Sequence, residues 1–276
     1  MADQPTITLN SGTAMPQLGF GVFKVPDDET AAAVSAAFEA GYRAIDTAAM
    51  YRNEGGVGKA IADSGIARDE LFITTKLNND GHGTDAALRA FEVSRTRLGL
   101  DYVDLYLIHW PLPAQDRYVQ TWQAFEKLKR DGLARAIGVS NFKPAHLQRL
   151  FDETDVVPAL NQVELHPYLT QDVLRAFDAQ HGIATEAWSP IARGGDLLSD
   201  PAITALAEKY SKTPAQIVIR WHLQLGNVVI PKSVTPSRIA ENFDVFDFEL
   251  AEDDVTSISA LNRDERTGPD PDTVNP

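Results

Sequence analysis

The sequence predicts a single α/β domain over residues 1–276, folded as a closed (β/α)8 barrel, also called a TIM barrel. Short apolar or β-branched runs alternate with longer amphipathic stretches, and eight such runs recur at intervals of roughly 30 residues. No Gly/Ser-rich or Pro-rich linker divides the chain. This alternation is typical of βαβ units in a parallel sheet. Eight units in about 250 residues favour a closed barrel over a doubly wound sheet.

The predicted strands share an enrichment in apolar and β-branched residues, as expected for strands buried on both faces. In chain order they cover Leu18–Phe23, Ala44–Asp46, Leu71–Lys76, Val103–His109, Ala134–Val139, Ala159–Val163, Ile183–Ala187 and Val228–Ile230.

Helices between these strands are predicted from their terminal residues. Asp27–Ala40 begins with three acids, which complement a helix N-terminus, and it stops before Gly41. Thr84–Leu98 and Tyr118–Arg130 are likewise followed by stops that contain glycine.

Two features depart from eight equal units. Thr6–Leu9 and Met15–Leu18 flank a polar turn, which predicts a β-hairpin within residues 1–17, before the first barrel strand. The interval before the last strand is longer than the others. It holds two extra helical stretches, Pro201–Tyr210 and Pro214–Leu225, and a short tail, residues 263–276, ends the chain.

Composition excludes several classes of protein. The chain has 25 Lys and Arg against 39 Asp and Glu, a formal net charge of −14, and no cysteine. The acidic balance argues against a nucleic-acid partner and against docking on anionic lipid. The absence of cysteine excludes disulfides, thiolate metal sites and a cysteine nucleophile. No signal peptide or apolar run long enough for a membrane span is visible, so we expect a cytoplasmic protein without a membrane segment.

Chemistry in such barrels sits at the C-terminal ends of the strands. The residues that follow or end the predicted strands are Gly21, Val22, Phe23, Asp46, Lys76, His109, Ser140, Asn141, Gln162, Trp188 and Lys232. Strand ends are often polar by chance, but an aspartate, a lysine and a histidine meeting at one end indicate a site.

Three of these residues, together with Tyr51 shortly after the second strand, form a device suited to carbonyl reduction. A tyrosine hydroxyl such as that of Tyr51 has a pKa near 10, and a nearby ammonium lowers it by favouring the phenolate. Asp46 can hold the Lys76 ammonium in place. A neutral His109 can donate a hydrogen bond to a carbonyl oxygen. The set combines a general acid with a polarising donor.

Seven short motifs follow one another along the chain near these strand ends. They are GYRAIDTA (41–48), YRNE (51–54), ITTKL (73–77), DLYLIHWP (104–111), IGVSNF (137–142), NQVELHP (161–167) and IPKS (230–233). In this order they resemble the aldo-keto reductase superfamily over essentially the full length. The resemblance is greatest to the bacterial branch that includes 2,5-diketo-gluconate reductases.

The resemblance implies an NADPH-dependent oxidoreductase that reduces aldehydes, dicarbonyls or keto sugars to alcohols by hydride transfer. It assigns Asp46, Tyr51, Lys76 and His109 as a catalytic tetrad, with Tyr51 as the general acid. Lys76 and Asp46 would tune the tyrosine, and His109 would orient the carbonyl.

A nicotinamide cofactor, NADPH or NADP+, would not bind here through a Rossmann fingerprint, because no Gly-x-Gly-x-x-Gly follows a strand. Lys232 and Arg238 flank an acid-free stretch with Thr235 as a candidate N-cap and Pro236 at the next position, which predicts an anion site. By resemblance this stretch would hold a 2′-phosphate. The expected cofactor contacts are Gly21, Val22, Phe23, Ser140, Asn141, Gln162, Trp188, Ser189, Pro190, Ile191, Lys232, Ser233, Val234, Thr235, Arg238, Glu241 and Asn242.

The substrate is expected to be a small carbonyl compound. The residues predicted to line its pocket are Phe23, Met50, Asn78, His109 and Trp110. Many relatives carry tryptophan where this chain has Asn78, so that wall is smaller and more polar. No metal site is predicted, and the family favours a monomer.

Three alternatives stay open from the residues alone. A barrel lyase would use Lys76 as a Schiff base. A non-catalytic barrel would sense a nucleotide. A metallohydrolase would use His109 and His166, although no His-x-His or clustered carboxylates support a metal site.

Overall fold

The computed structural model describes residues 4–274. Its first element is the predicted hairpin, whose strands β1 (Thr6–Thr8) and β2 (Ala14–Pro16) pair antiparallel. Leu9 and Met15 of this hairpin are buried in one cluster with residues at the starts of barrel strands, among them Phe72. The hairpin therefore plugs the N-terminal end of the barrel and leaves the opposite end for a site.

A parallel sheet of eight strands forms the centre of the described chain. Its strands are β3 (Phe20–Gly21), β4 (Ala44–Asp46), β5 (Phe72–Leu77), β6 (Val103–Ile108), β7 (Ala134–Ser140), β8 (Leu160–Glu164), β9 (Ala184–Trp188) and β10 (Val228–Val229). Each strand pairs with its neighbour in sequence. A parallel bridge between Leu18 and Val229 joins the two edges, and the Gly19 amide donates to the Val229 carbonyl at 2.9 Å. The predicted closed barrel is confirmed.

The described residues also form ten α-helices around the sheet. They are α1 (Asp27–Ala40), α2 (Glu54–Asp63), α3 (Thr84–Leu98), α4 (Tyr118–Arg130), α5 (Pro144–Glu153), α6 (Asp172–Gln180), α7 (Pro201–Tyr210), α8 (Pro214–Gln224), α9 (Pro236–Phe243) and α10 (Glu252–Ser259). Both α7 and α8 lie between β9 and β10, which confirms the extra helices. Within residues 4–274, no helix has both the length and the apolar character to cross a membrane.

Local chemistry explains where these helices begin and end. Gly41 ends α1 in the left-handed region, with φ of 115°, and its amide donates to the carbonyls of Ala37 and Phe38. Thr213 starts α8 with a reciprocal capping box, because its hydroxyl accepts from the Gln216 amide and the Gln216 side chain accepts from the Thr213 amide.

Two strands differ from their predicted bounds in ways that affect the site. β3 is shorter than Leu18–Phe23, because at the barrel seam only isolated hydrogen bonds join it to the last strand. β8 continues through Glu164, so Gln162 lies inside the strand rather than at its end. Because alternate residues of a strand face opposite sides, this places the Gln162 side chain inside the barrel wall.

Candidate active site

The site is built around a buried ion pair between Asp46, the last residue of β4, and Lys76 of β5. The Nζ atom of Lys76 lies 2.6 Å from Oδ1 of Asp46 and donates to the Thr47 carbonyl at 3.0 Å. Burial lowers the pKa of Lys76, but the Asp46 carboxylate and the Tyr51 hydroxyl together outweigh burial and raise it. Lys76 is therefore an ammonium at neutral pH.

Tyr51 lies on the short 3₁₀ turn Ala49–Tyr51 after β4, above this ion pair. Lys76 Nζ donates to its hydroxyl at 3.3 Å. The sequence analysis expected a lowered pKa for this tyrosine. Burial instead raises the pKa of Tyr51 by more than Lys76 lowers it, so the net direction is upward and the expectation is corrected. Tyr51 carries its proton at neutral pH, as a proton donor must.

His109 directly follows β6 and presents its ring edge-on to Tyr51, with 5.7 Å between ring centroids. Burial, and then the charge of Lys76, lower the pKa of His109 well below its usual range, so the imidazole is neutral. Its Nδ1 atom is buried and finds no hydrogen-bond partner in residues 4–274. The Asn141 side chain donates to the His109 carbonyl at 2.9 Å and fixes the backbone there.

Below the ion pair, Gln162 of β8 connects two carboxyl groups. Its Nε2 atom donates to Oδ2 of Asp46 and to Oε2 of Glu186, each at 2.8 Å. Glu186, in β9, is fully buried, and the sequence analysis missed it. A signal was present, because an acid stands in the middle of an otherwise mostly uncharged predicted strand.

Three further residues expected to contact a cofactor bond mainly to one another. Ser140 donates from its hydroxyl to the Gln162 carbonyl at 2.8 Å. Asn141 has a left-handed backbone, with φ of 65°, and its Oδ1 accepts from Nε1 of Trp188 at 2.8 Å. These bonds set the orientation of the Trp188 indole at the wall of the site.

A cavity of about 830 Å³ opens above these residues at the C-terminal end of the barrel. Most of the predicted site residues line it: Gly21, Phe23, Asp46, Met50, Tyr51, His109, Trp110, Ser140, Asn141, Gln162, Trp188, Ser189, Pro190, Ile191, Lys232, Ser233, Arg238, Glu241 and Asn242. Lys76 lies behind Tyr51 and Asp46.

Besides Lys76, four of the predicted residues do not line the cavity. Val22 is fully buried in the core behind it. Asn78 precedes the 3₁₀ turn Asn79–Gly81 and is not part of the cavity wall, where it was predicted to lie. Val234 and Thr235 are exposed before α9, and Thr235 occupies its N-cap position without a side-chain capping bond.

Four cations line the cavity in this acidic protein: Lys24, Arg193, Lys232 and Arg238. In the part of the chain that the structure describes, none of them forms an ion pair with a carboxylate. Lys24 and Arg193 were not among the predicted contacts. Lys24 directly follows the predicted Phe23, and Arg193 lies two residues after the predicted Ile191, so loop geometry rather than composition brings them in. An unpaired cation cluster beside a cavity is suited to an anionic ligand.

The C-terminal strap, residues 263–274, contributes Pro269 to the wall of the cavity. The buried carboxylate of Glu164 accepts from the Thr267 amide and hydroxyl, both at 2.6 Å, and from the Gly268 amide at 3.1 Å. At Gly268 a Cβ atom would lie 2.5 Å from the Trp188 ring, so only glycine allows this close approach. The strap is thus packed directly on Trp188.

The histidines of the metal alternative have separate roles. His166 is fully buried, and its Nε2 lies 3.2 Å from Oε1 of Glu164, so it supports the carboxylate that binds the strap. Within residues 4–274, no group of three or more His, Cys, Asp or Glu side chains is arranged to hold a metal ion.

Comparison with known proteins gives consistent matches. The model of the Aldo/keto reductase family matches residues 11–263. A protein named aldo-keto reductase from Mycolicibacterium smegmatis is 58% identical over 271 residues, which cover 98% of each chain. Methylglyoxal reductase DkgA of Escherichia coli K12 is 55% identical over 273 residues, 99% of this chain and 98% of that protein.

A solved structure shares the whole fold. The crystal structure of a Gox0644 mutant in complex with NADPH superposes with a TM-score of 0.95 at 51% identity and covers 99% of both chains.

Proposed function

The chain belongs to the aldo/keto reductase family, and from this premise we propose that it reduces small aldehydes, dicarbonyls or keto sugars to alcohols with NADPH. The observation that carries the proposal is the contact of Lys76 with both Asp46 and Tyr51, beside a neutral His109 and open to one cavity. We further expect the enzyme to be a cytoplasmic monomer, which sedimentation and fractionation would test.

The residues of this chain divide the work of proton delivery. Tyr51 holds a proton at neutral pH and donates it to the carbonyl oxygen of the substrate. Lys76 stabilises the phenolate that remains, because its ammonium lies next to the hydroxyl and Asp46 holds it there. His109 is neutral and can donate a hydrogen bond that orients the carbonyl. NADPH, when bound, would supply the hydride that reaches the carbonyl carbon.

The cavity fits this cofactor on two grounds. Its unpaired cations, among them Lys232 and Arg238 at the start of α9, suit a phosphate-rich ligand. The indole of Trp188, held by Asn141 and covered by Gly268, offers a fixed aromatic wall for a nicotinamide ring. The relative structure in complex with NADPH supports the same assignment.

The substrate side of the cavity is apolar. Phe23 and Met50 are unusually exposed for apolar residues, at 46% and 38%, and Trp110 lies beside them. A methylglyoxal reductase at 55% identity supports a small dicarbonyl as substrate.

The chemistry of Lys76 opposes the lyase alternative. A Schiff-base lysine must lose its proton to attack, whereas Asp46 and Tyr51 raise the pKa of Lys76. Its three hydrogen bonds also leave the ammonium without a free direction of approach.

Substituting Tyr51 tests the proposal directly. Tyr51→Phe should lower kcat for NADPH-dependent reduction of methylglyoxal by about a thousandfold or more, since it removes the general acid. NADPH binding, followed by protein fluorescence, should change little. Tyr102→Phe, at a tyrosine outside the cavity, is the matched control. Full activity of Tyr51→Phe would refute the assignment of Tyr51 as the general acid. Inactivity of the native protein on a panel of aldehydes and ketones would refute the function.

A further inference from the structure

Glu186 is a buried acid for which the proposed mechanism has no use. It lies in the middle of β9, opposite Gln162 of β8 and Val228 of β10. Its side chain is fully buried, and its one hydrogen bond comes from Nε2 of Gln162 at 2.8 Å. Its Oε1 atom has no partner among the described residues. A buried carboxylate with one bond and an orphan oxygen would be costly if it were charged.

Of the two charged neighbours of Glu186, Asp46 favours its neutral form and Lys76 opposes it, and the effect of Asp46 is the larger. Across the barrel it faces Asp46 of β4 and Lys76 of β5, and the neutral amide of Gln162 stands between. Lys76 is already paired with Asp46, so no cation contacts Glu186 directly within residues 4–274. Burial, and then the charge of Asp46, raise the pKa of Glu186 to about 8. Glu186 is therefore protonated at neutral pH.

The Gln162 amide depends on this arrangement for its orientation. Both hydrogens of Nε2 are engaged, one by Asp46 and one by Glu186. An amide rotated by half a turn would direct its oxygen at the Asp46 carboxylate, which has no proton to donate to it. The bonds therefore leave the Gln162 oxygen as the group that faces the cavity, where an N–H donor of a ligand can bind it.

We propose that Glu186 is a positioning residue that acts through Gln162: its carboxyl oxygen accepts a hydrogen bond from the Gln162 amide and fixes it, so that the amide oxygen receives the carboxamide N–H of the nicotinamide. A proton on Glu186 also keeps the charge beneath the tetrad balanced, with one anion, Asp46, for one cation, Lys76. This inference rests on the proposed function, because it concerns the cofactor and the proton donor of that reaction.

Loss of the Glu186 proton shifts the pKa values of two tetrad residues in the same direction. A negative Glu186 raises the pKa of Tyr51 and of Lys76, because it disfavours a phenolate and favours an ammonium. At alkaline pH the native protein therefore holds the Tyr51 proton more tightly than a variant with no charge at position 186.

Two substitutions separate orientation from charge. Glu186→Gln keeps an oxygen acceptor for Gln162 and is always neutral, whereas Glu186→Ala removes the acceptor. NADPH should bind Glu186→Gln within about twofold of the native Kd, and Glu186→Ala about tenfold more weakly, as expected for one misdirected hydrogen bond. With 3-acetylpyridine adenine dinucleotide phosphate, which lacks the amide N–H, the native protein and Glu186→Ala should bind alike.

Asp178→Asn, at a buried carboxyl outside the cavity, controls for loss of any buried acid. Equal Kd values for NADPH in the native protein, Glu186→Gln and Glu186→Ala would overturn the proposed role of Glu186 in orienting the Gln162 amide. The role would also be overturned if Glu186→Ala bound the acetylpyridine analogue about tenfold more weakly than the native protein does. This binding experiment needs no turnover, so it decides the role of Glu186 even if no carbonyl substrate is reduced.

A pH profile tests the charge. Oxidation of the alcohol product with NADP+ requires the Tyr51 phenolate, so its rate rises as Tyr51 loses its proton. In Glu186→Gln the midpoint of this rise should lie at least about half a pH unit below that of the native enzyme. Coincident pH profiles for the native enzyme and Glu186→Gln would overturn the proposed effect of the Glu186 charge on Tyr51. This test does not depend on whether Glu186→Ala folds.

Discussion

At the scale of single residues, burial sets the protonation states of this protein. Lys76 and Glu186 share one barrel interior, yet both carry a proton at neutral pH for opposite reasons. Lys76 keeps its charge because Asp46 pairs with it, whereas Glu186 avoids a charge because no cation contacts it within the described structure. Asp46, Lys76 and Glu186 together therefore carry no net charge.

Asp178 offers a test of the same physics away from the site. It is buried between α6 and the barrel, and its only side-chain donors in residues 4–274 are Asn161 and Thr185. Burial raises its pKa from 3.8 to about 7, since these hydrogen bonds only partly offset desolvation. A folded-state pKa above the unfolded value means that its contribution to stability is complete below about pH 4 and is lost as pH rises through 7.

Asp178→Asn should therefore flatten the pH dependence of stability. The native free energy of unfolding should fall between pH 5 and pH 8 by a few kcal/mol from this group, at ~1.4 kcal/mol per pKa unit. In the variant most of that fall should vanish in urea titrations at the two pH values. An equal fall in both proteins would show that Asp178 titrates normally.

The sequence allowed site residues to be predicted where a reactive side chain stands at the end of a predicted strand. Asp46, Lys76 and His109 stand there, and the structure brings them together. Glu186 was missed because it lies inside a strand, where only register reveals that it faces Gln162. Asn78 was placed at the pocket, but the direction in which its loop leaves β5 is a tertiary property that its sequence does not carry.

At the scale of elements, helix packing depends on glycines in α2. A Cβ atom at Gly58 would lie 2.4 Å from the Leu98 carbonyl at the end of α3. Gly55, on the same helix, has ordinary space, with its nearest neighbour at 3.6 Å. The backbones of α2 and α3 therefore touch at Gly58 and not at Gly55.

These two glycines make a matched pair of variants. Gly58→Ala should lower the free energy of unfolding by about 2–3 kcal/mol, because backbone atoms must move apart. Gly55→Ala should be neutral or stabilise by up to about 1 kcal/mol, since alanine favours the helix. Thermal and urea unfolding would measure both. Similar values for the two variants would mean that the contact at Gly58 relaxes freely.

The strap supplies a second prediction at this scale. Burial raises the pKa of Glu164, but hydrogen bonds from His166 and Thr267 outweigh it, so the strap binds a carboxylate. Glu164→Gln should loosen the strap, because it replaces one of these acceptor oxygens by an N–H donor. Amide exchange at Thr267 and Gly268 should then accelerate at least about tenfold. Glu153→Gln, at a surface ion pair, is the control, and unchanged exchange would show that the strap is held elsewhere.

Most elements followed from sequence, and those that did not had misleading local signals. Helices α1, α3, α4 and α7 have their predicted bounds. By contrast, α2 begins with Glu54-Gly55-Gly56, a pattern that is typical of a turn. Its glycines are explained by close helix packing and not by helix propensity. The strap has no periodic pattern, since its conformation comes from Glu164 and other distant partners.

At the scale of the whole molecule, the cavity is lined by positive charges although the protein as a whole is negatively charged. The net charge of −14 repels anions at long range, whereas the four cations that line the cavity attract them at short range. Salt screens both effects, but contacts inside the cavity are screened less.

Arg238→Ala should expose this local attraction. NADPH, with its additional phosphate, should bind about tenfold more weakly, whereas NADH should lose less than about twofold. The dependence of the NADPH Kd on salt should also become shallower. Lys127→Ala changes the net charge equally but lies on α4 and pairs with Asp131, so it should leave both cofactors unaffected. Equal losses for NADPH and NADH would place Arg238 elsewhere than at a 2′-phosphate.

The seam between Leu18 and Val229 has a consequence for how the protein is made. Next to it, the Gln17 side chain donates to the Asn227 carbonyl, 210 residues later. On a ribosome that adds about 5–20 residues per second, the nascent β3 edge waits on the order of ten seconds or more for its partner. An exposed strand edge of this kind is a template for aggregation. We therefore expect chaperones to bind this chain mainly in that interval, before β10 has been synthesised.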